Sequence, residues 1–125
     1  MIKIDNDKVL LLHQLLIEET VGEPNLRDIN LLDSSIKSVY QTFDGEELYK
    51  TKEEKAARLG YTLVSNHAFV DGNKRIGVYV MLTFLEANGV KVNFTNQEII
   101  DIGFRIAKSE MSYEELLDEI KKHKI

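Results

Sequence analysis

Residues 76–85, IGVYVMLTFL, carry no charge on any side of a helical wheel. A surface helix sets an apolar stripe against a charged face, so a segment that is apolar all round belongs inside. As a helix it would be about 15 Å long, too short to cross a bilayer, and other helices must therefore surround it. The 125 residues include one proline and seven glycines, with no internal repeat and no linker-like stretch. The chain reads as one all-α domain over 1–125, a bundle around a central buried helix from about Asn73 to Asn88 that Gly89 ends at C′.

The starts of the surrounding helices are marked. Asp5 or Asn6 can cap a first helix to about Thr20, with Val9, Leu12, Leu15 and Leu16 turned inward. VGEPNLRD, 21–28, reads as a loop, and Asp28 caps a second helix through Leu31, Leu32, Ile36 and Val39. Three pairs have capping-box spacing, where a Ser or Thr and a Glu three residues on satisfy each other's backbone N–H groups. Thr51 with Glu54, Thr95 with Glu98, and Ser112 with Glu115 predict helices over roughly 52–66, 96–109 and 113–123.

VYQTFDGEELY, 39–49, does not follow the helical pattern. Asp44-Gly45 between β-formers is the favoured signal for a two-residue hairpin. An ordinary helix-to-helix turn fits the same residues. A hairpin would be a small flap whose open edge can pair with an extended peptide.

Charge limits the partners. The net charge is −5 and the pI near 5.2, so no global basic field invites direct nucleic-acid binding, and any anion site must be local. The absence of cysteine removes disulfides and thiolate chemistry and suits a reducing cytoplasm. The N-terminus has no signal-peptide pattern, and no membrane span is expected.

The local arrangement is HAFVDGNKR, 67–75, at the mouth of the apolar helix. Lys74 and Arg75 have the wrong sign for a helix N-terminus, whose dipole favours anions. An anionic ligand resolves the conflict: first-turn N–H groups, Gly72 for close approach, and two cations make a phosphate site. Two solvated basic side chains paired with surface acids are the plainer reading, and charge alone does not separate the two. His67 can serve as general base toward a hydroxyl, and Asp71 can hold Mg²⁺ beside phosphates. Asn73 can donate to a phosphate oxygen, Phe69 reads as core, and His13 and His123 read as structural. A calcium loop is excluded, because its ligand positions would fall on Phe69 and Val78. GNKR lacks the earlier glycine and following hydroxyl of a Walker loop, and no zinc spacing occurs.

HAFVDGNKR resembles the signature His-x-Phe-x-Asp/Glu-Gly-Asn-x-Arg of the Fic/Doc superfamily. LRDINLLDSSI, FDGEELYKTKEEKAARLGYTLVSNHAFVDGNKR and FLEANGV resemble its Doc branch over most of the chain. The resemblance implies a Fic/Doc-like bundle with a hairpin flap, and enzymes that move phosphate-containing groups from nucleotides to protein hydroxyls. Adenylylating members have Gly after the Asn and a second Arg three residues past the first. This chain has Lys74 and Val78 there, Ala68 where Pro is usual, and Ile76-Gly77 where Doc relatives often continue Thr-Ala.

Lys74 is the Doc feature, and it implies a protein Ser/Thr kinase using ATP and Mg²⁺. In that role His67 is the base, Asp71 binds Mg²⁺ or orients the hydroxyl, and Gly72, Asn73, Lys74 and Arg75 hold phosphates. The flap Gln41, Thr42, Phe43, Asp44, Gly45, Glu46 and Glu47 registers the target segment. The Ser/Thr-x-x-x-Glu mark of an inhibitory helix is matched only by Thr42 to Glu46, inside the flap, and is counted absent. The resemblance therefore implies a toxin of a bacterial toxin–antitoxin module, cytoplasmic, restrained by a Phd-like antitoxin and acting on a translation factor, with elongation factor Tu the leading target. AMP transfer is the alternative chemistry. A non-catalytic module that binds antitoxin or nucleotide is the alternative of another class.

Overall fold

The computed structural model describes residues 1–19 and 25–125, and among these it forms six helices and one hairpin. In chain order they are α1 Asn6–Glu18, α2 Ile29–Val39, β1 Thr42–Phe43, β2 Glu46–Glu47, α3 Lys52–Ser65, α4 Asn73–Ala87, α5 Asn96–Ala107 and α6 Tyr113–Lys122. No helix of the described residues is long and apolar enough to cross a membrane. The reading of 21–28 as a loop falls partly outside the described residues. Within 25–28, Leu26 forms an antiparallel bridge with Phe69.

The caps act where the sequence places them. Asp5 accepts from Lys8 N, and Asp28 from the N–H groups of Asn30 and Leu31. All three capping boxes close reciprocally. Gly89 takes φ +78° past the end of α4, where Val90 N–H donates to Leu85 O at 2.9 Å and Gly89 N–H to Glu86 O at 3.1 Å. These bonds satisfy two carbonyls that the helix end would otherwise leave orphaned.

α4 is the core helix, burying Ile76, Gly77, Val78, Val80, Met81, Phe84 and Leu85. It is not covered all round, because Tyr79 is 47% exposed. Its main neighbour is α3, which buries Ala56, Ala57, Leu59, Gly60, Leu63 and Val64. The two backbones approach closely enough that a Cβ on Gly60 would lie 3.0 Å from Met81 Sδ, and one on Gly77 would overlap Val64 Cγ2. In α1 the inward face differs from expectation: Leu15 is 48% exposed, while Val9, His13 and Ile17 are buried. Seven of the nine residues 9–17 are apolar, so their pattern does not choose a side.

The hairpin is present. Thr42 pairs with Glu47 and Phe43 with Glu46, and the turn residues have φ +54° at Asp44 and +79° at Gly45. Two successive left-handed residues make the turn that matches strand twist, and Asp-Gly adopts it at low cost.

His123 fastens the end of α6 to the start of α5. Its Nε2 lies 2.6 Å from Glu98 Oε2, its Nδ1 lies 2.8 Å from Glu119 O, and its ring stacks on Phe94 at 4.1 Å. The Glu119 carbonyl and then Glu98 raise the His123 pKa above its ordinary 6.5. The Thr95 backbone N–H and then His123 hold Glu98 down at about 2 from its ordinary 4.5. The imidazolium's contribution is complete below pH 6.5 and lost as pH rises through its raised pKa. The carboxylate's is complete above pH 4.5 and lost as pH falls toward about 2. The pair is therefore expected to stabilise most between those limits, and thermal melting against pH should flatten across that range's upper edge in His123→Gln.

Candidate active site

The loop between α3 and α4 is held from two sides. Phe69, 2% exposed, stacks on His13 of α1 with ring centroids 3.7 Å apart and an interplanar angle of 12°. His13 Nε2 lies 2.8 Å from Asp71 O, so the neutral tautomer protonated there donates to it. Burial lowers the His13 pKa, opposed by that bond. On the other side Arg27 Nε donates to His67 O at 2.7 Å and Nη2 to Asn66 O at 3.3 Å. The Arg27 and Asp28 N–H groups both donate to Ala68 O, at 2.8 and 3.0 Å, and Val70 N–H donates to Asn25 O at 3.1 Å.

The Asn73 side chain closes the loop on itself. Its Nδ2 donates to Phe69 O at 2.9 Å and its Oδ1 accepts from Phe69 N at 3.0 Å. That reciprocal clamp commits the amide to the backbone, so what Asn73 has to offer an anion is its first-turn N–H. Gly72 sits at the N-cap with φ +82°, and a Cβ there would lie 3.3 Å from both His13 Nε2 and Ile17 Cδ1. No side chain caps α4, whereas α1, α2, α3, α5 and α6 each have one. An uncapped N-terminus keeps unsatisfied donors, and α4 has no acidic residue in its first turn.

The result is a cleft of about 410 Å³ lined by His67, Val70, Asp71, Gly72, Asn73, Lys74, Arg75 and Ala107. It brings together all six residues singled out for catalysis and phosphate binding. The flap residues 41–47 are not part of its lining. His67 is exposed and takes φ +52°, a conformation that costs a non-glycine residue energy and recurs at functional sites. Lys74 Nζ lies 4.9 Å from the centroid of Phe104 on α5. The two residues share an apolar cleft of about 240 Å³ with Arg75, Ile99, Ile100 and Gly103.

A divalent cation fits this site only in company. Among the described residues no group of three or more His, Cys, Asp or Glu is placed to hold one. Asp71 is the carboxylate of the cleft, and its Oδ1 already accepts from Gly72 N at 2.8 Å. A single carboxylate suits Mg²⁺ arriving with a nucleotide, where phosphates and water supply the other ligands.

His13 and Arg27 are the residues that sequence reasoning did not credit. The reading of His13 as structural holds, and what it supports is the loop that carries Asp71 and Gly72. Arg27 sits in a loop-like run with no periodic signal.

The family model described as the Fic/DOC family matches residues 3–85, which include the hairpin and the whole of the loop. Among curated proteins, "Toxin Doc" of Mycolicibacterium smegmatis is 42% identical over 71 residues, 57% of this chain and 55% of that protein. The match thus spans about half the length of the relative.

Proposed function

The chain belongs to the Fic/Doc family, and from that premise we propose that residues 1–125 form a single Doc-like toxin domain, a protein Ser/Thr kinase that uses Mg-ATP to inactivate a translation factor, elongation factor Tu first among them. The observation that carries the proposal is the cleft that joins exposed His67 to the uncapped, cationic start of α4. His67 takes the proton from the target hydroxyl as its oxygen attacks the γ-phosphorus. The new O–P bond forms while the bond from the γ-phosphorus to the β-bridging oxygen breaks, and ADP leaves. Lys74, Arg75 and the first-turn N–H groups of α4 hold charge on the phosphates. Asp71 would hold Mg²⁺ brought by the nucleotide, and the ion would offset negative charge on the phosphates. The apolar cleft walled by Lys74 and Phe104 suits the base.

Two features favour γ- over α-phosphoryl transfer. Lys74 stands where adenylylating relatives have glycine. Val78, at the position of their second arginine, is 1% exposed and packed in the core, so nothing there can clamp a phosphate. The Thr42–Glu46 match to an inhibitory helix lies in the exposed hairpin, which supports restraint from outside by a Phd-like antitoxin whose segment folds over the cleft. The setting would be a bacterial cytoplasm, with no membrane and no direct contact to nucleic acid.

The test uses purified protein, elongation factor Tu, Mg²⁺, and ATP labelled on the α or the γ phosphate. Label from γ alone is expected. Label from α would establish AMP transfer instead, and nucleotide binding with no transfer, even to a lysate, would establish a non-catalytic module. In the same assay Lys74→Gly is expected to lower γ transfer roughly tenfold or more, as loss of a phosphate contact does. An unchanged rate would remove Lys74 from the site.

A further inference from the structure

The flap has too little structure to hold its own position. Its strands are two residues each, every residue from Gln41 to Leu48 is exposed, and Phe43 at its tip is 76% exposed. A two-stranded hairpin of this size is not stable alone. Something in the bundle has to fix it.

Lys55 is placed to do so. It lies in the second turn of α3 and is 2% exposed, among the largest fully buried side chains of the protein. Lysine is almost never buried to this degree unless paired, and a cation close to a helix N-terminus also opposes the dipole. The partners of its ammonium among the described residues both lie at the base of the flap. It donates to Tyr49 O, and its Nζ is 3.2 Å from Glu47 Oε2. Around this point Tyr49 packs under Arg58, 5.4 Å from its ring centroid, and edge-on to Tyr113 at 5.3 Å. Gln41 Nε2 donates to Ser38 O at 2.9 Å, and Leu48 N–H to Gln41 O at 3.0 Å.

We propose that Lys55 is a positioning residue that latches the flap to α3, through Glu47 on the second strand and the Tyr49 carbonyl just beyond it. The side chain reaches out of the core to the end of β2 and the backbone just after it, so it sets the height and tilt at which the hairpin edge is presented. Its effect on catalysis rests on the flap's proposed role in registering the target. The latch itself does not.

Hydrogen–deuterium exchange of the full chain separates the two. In Lys55→Met, which keeps the volume and removes the charge, amides of 41–50 are expected to exchange roughly tenfold faster while the core amides of α4 keep their protection. Glu47→Gln, at an exposed residue whose amide oxygen can still accept from Lys55, is expected to give a smaller increase over the same residues. If 41–50 exchange at the wild-type rate in both variants, Tyr49 packing and Gln41 hold the flap and the latch is refuted. In the transfer assay, Lys55→Met is expected to raise KM for elongation factor Tu roughly tenfold and leave KM for ATP unchanged. A rise in both, or in neither, denies Lys55 a part in target registration. A wild-type protein that transfers nothing, to this factor or to a lysate, overturns the proposed function and leaves the exchange result standing.

Discussion

Alanine in place of His67 is expected to lower transfer of γ-label by roughly 10²–10⁴-fold, the range that a positioned general base contributes. Nucleotide binding should survive, because the groups proposed to hold phosphate, Gly72 to Arg75, are left unchanged. The substitution is clean for a structural reason. His67 supports the loop through its carbonyl, which accepts from Arg27 Nε, and the residue is exposed and lines the cleft. Alanine keeps the carbonyl and removes only the imidazole. The residue's φ of +52° suggests a second control, His67→Asn, since asparagine tolerates the left-handed region better than alanine. Both variants should bind nucleotide and melt close to wild type. Residual transfer near the wild-type rate would place the base elsewhere, and a large fall in melting temperature would make His67 a scaffold residue.

Gly77→Ala is expected to destabilise the fold by about 1–3 kcal/mol, the usual cost of forcing a methyl into a packed core. The new Cβ would overlap Val64 Cγ2 and lie 3.0 Å from both Gly60 O and Val64 N. Two of those three atoms are backbone, and Val64 is itself fully buried. No side chain can swing aside, so α3 and α4 would have to separate along the crossing that carries the site loop at one end. Denaturant unfolding should show a lower midpoint at an unchanged slope. Gly89→Ala, which has open space around it but a left-handed φ of +78°, offers a contrast in which only backbone strain is tested. A Gly77→Ala variant as stable as wild type would mean that the two helices slide freely, contrary to their packing.

How much of this was legible depended on range. The capping boxes act across three residues, and each starts a helix where it was expected. The buried helix was legible because a segment without charges has one place to go. Asp44-Gly45 left hairpin and turn equally open on its own, and resemblance to a family decided it. Leu15 was misassigned because α1 is apolar nearly all round, so only the packing could say which side faces in. Asn73 was read as a phosphate ligand from its place in the motif, whereas its amide is committed to Phe69. His13 and Arg27 reach the loop from 58 and 40 residues away, and no local pattern encodes such partners.

Those two long reaches bear on when the site comes into being. Each helix cap draws on partners two or three residues away, but the loop that carries the candidate site is held by His13 of α1 and by the segment at 25–28. Contacts of such separation form late, since chain closure must precede them. A chain in which α1 and 25–28 have not docked therefore carries every residue of the motif without the loop shape described above. Grafting the nine-residue motif between two other helices should fail for the same reason, and carrying His13 and Arg27 along with it is the minimum that a transplant would need.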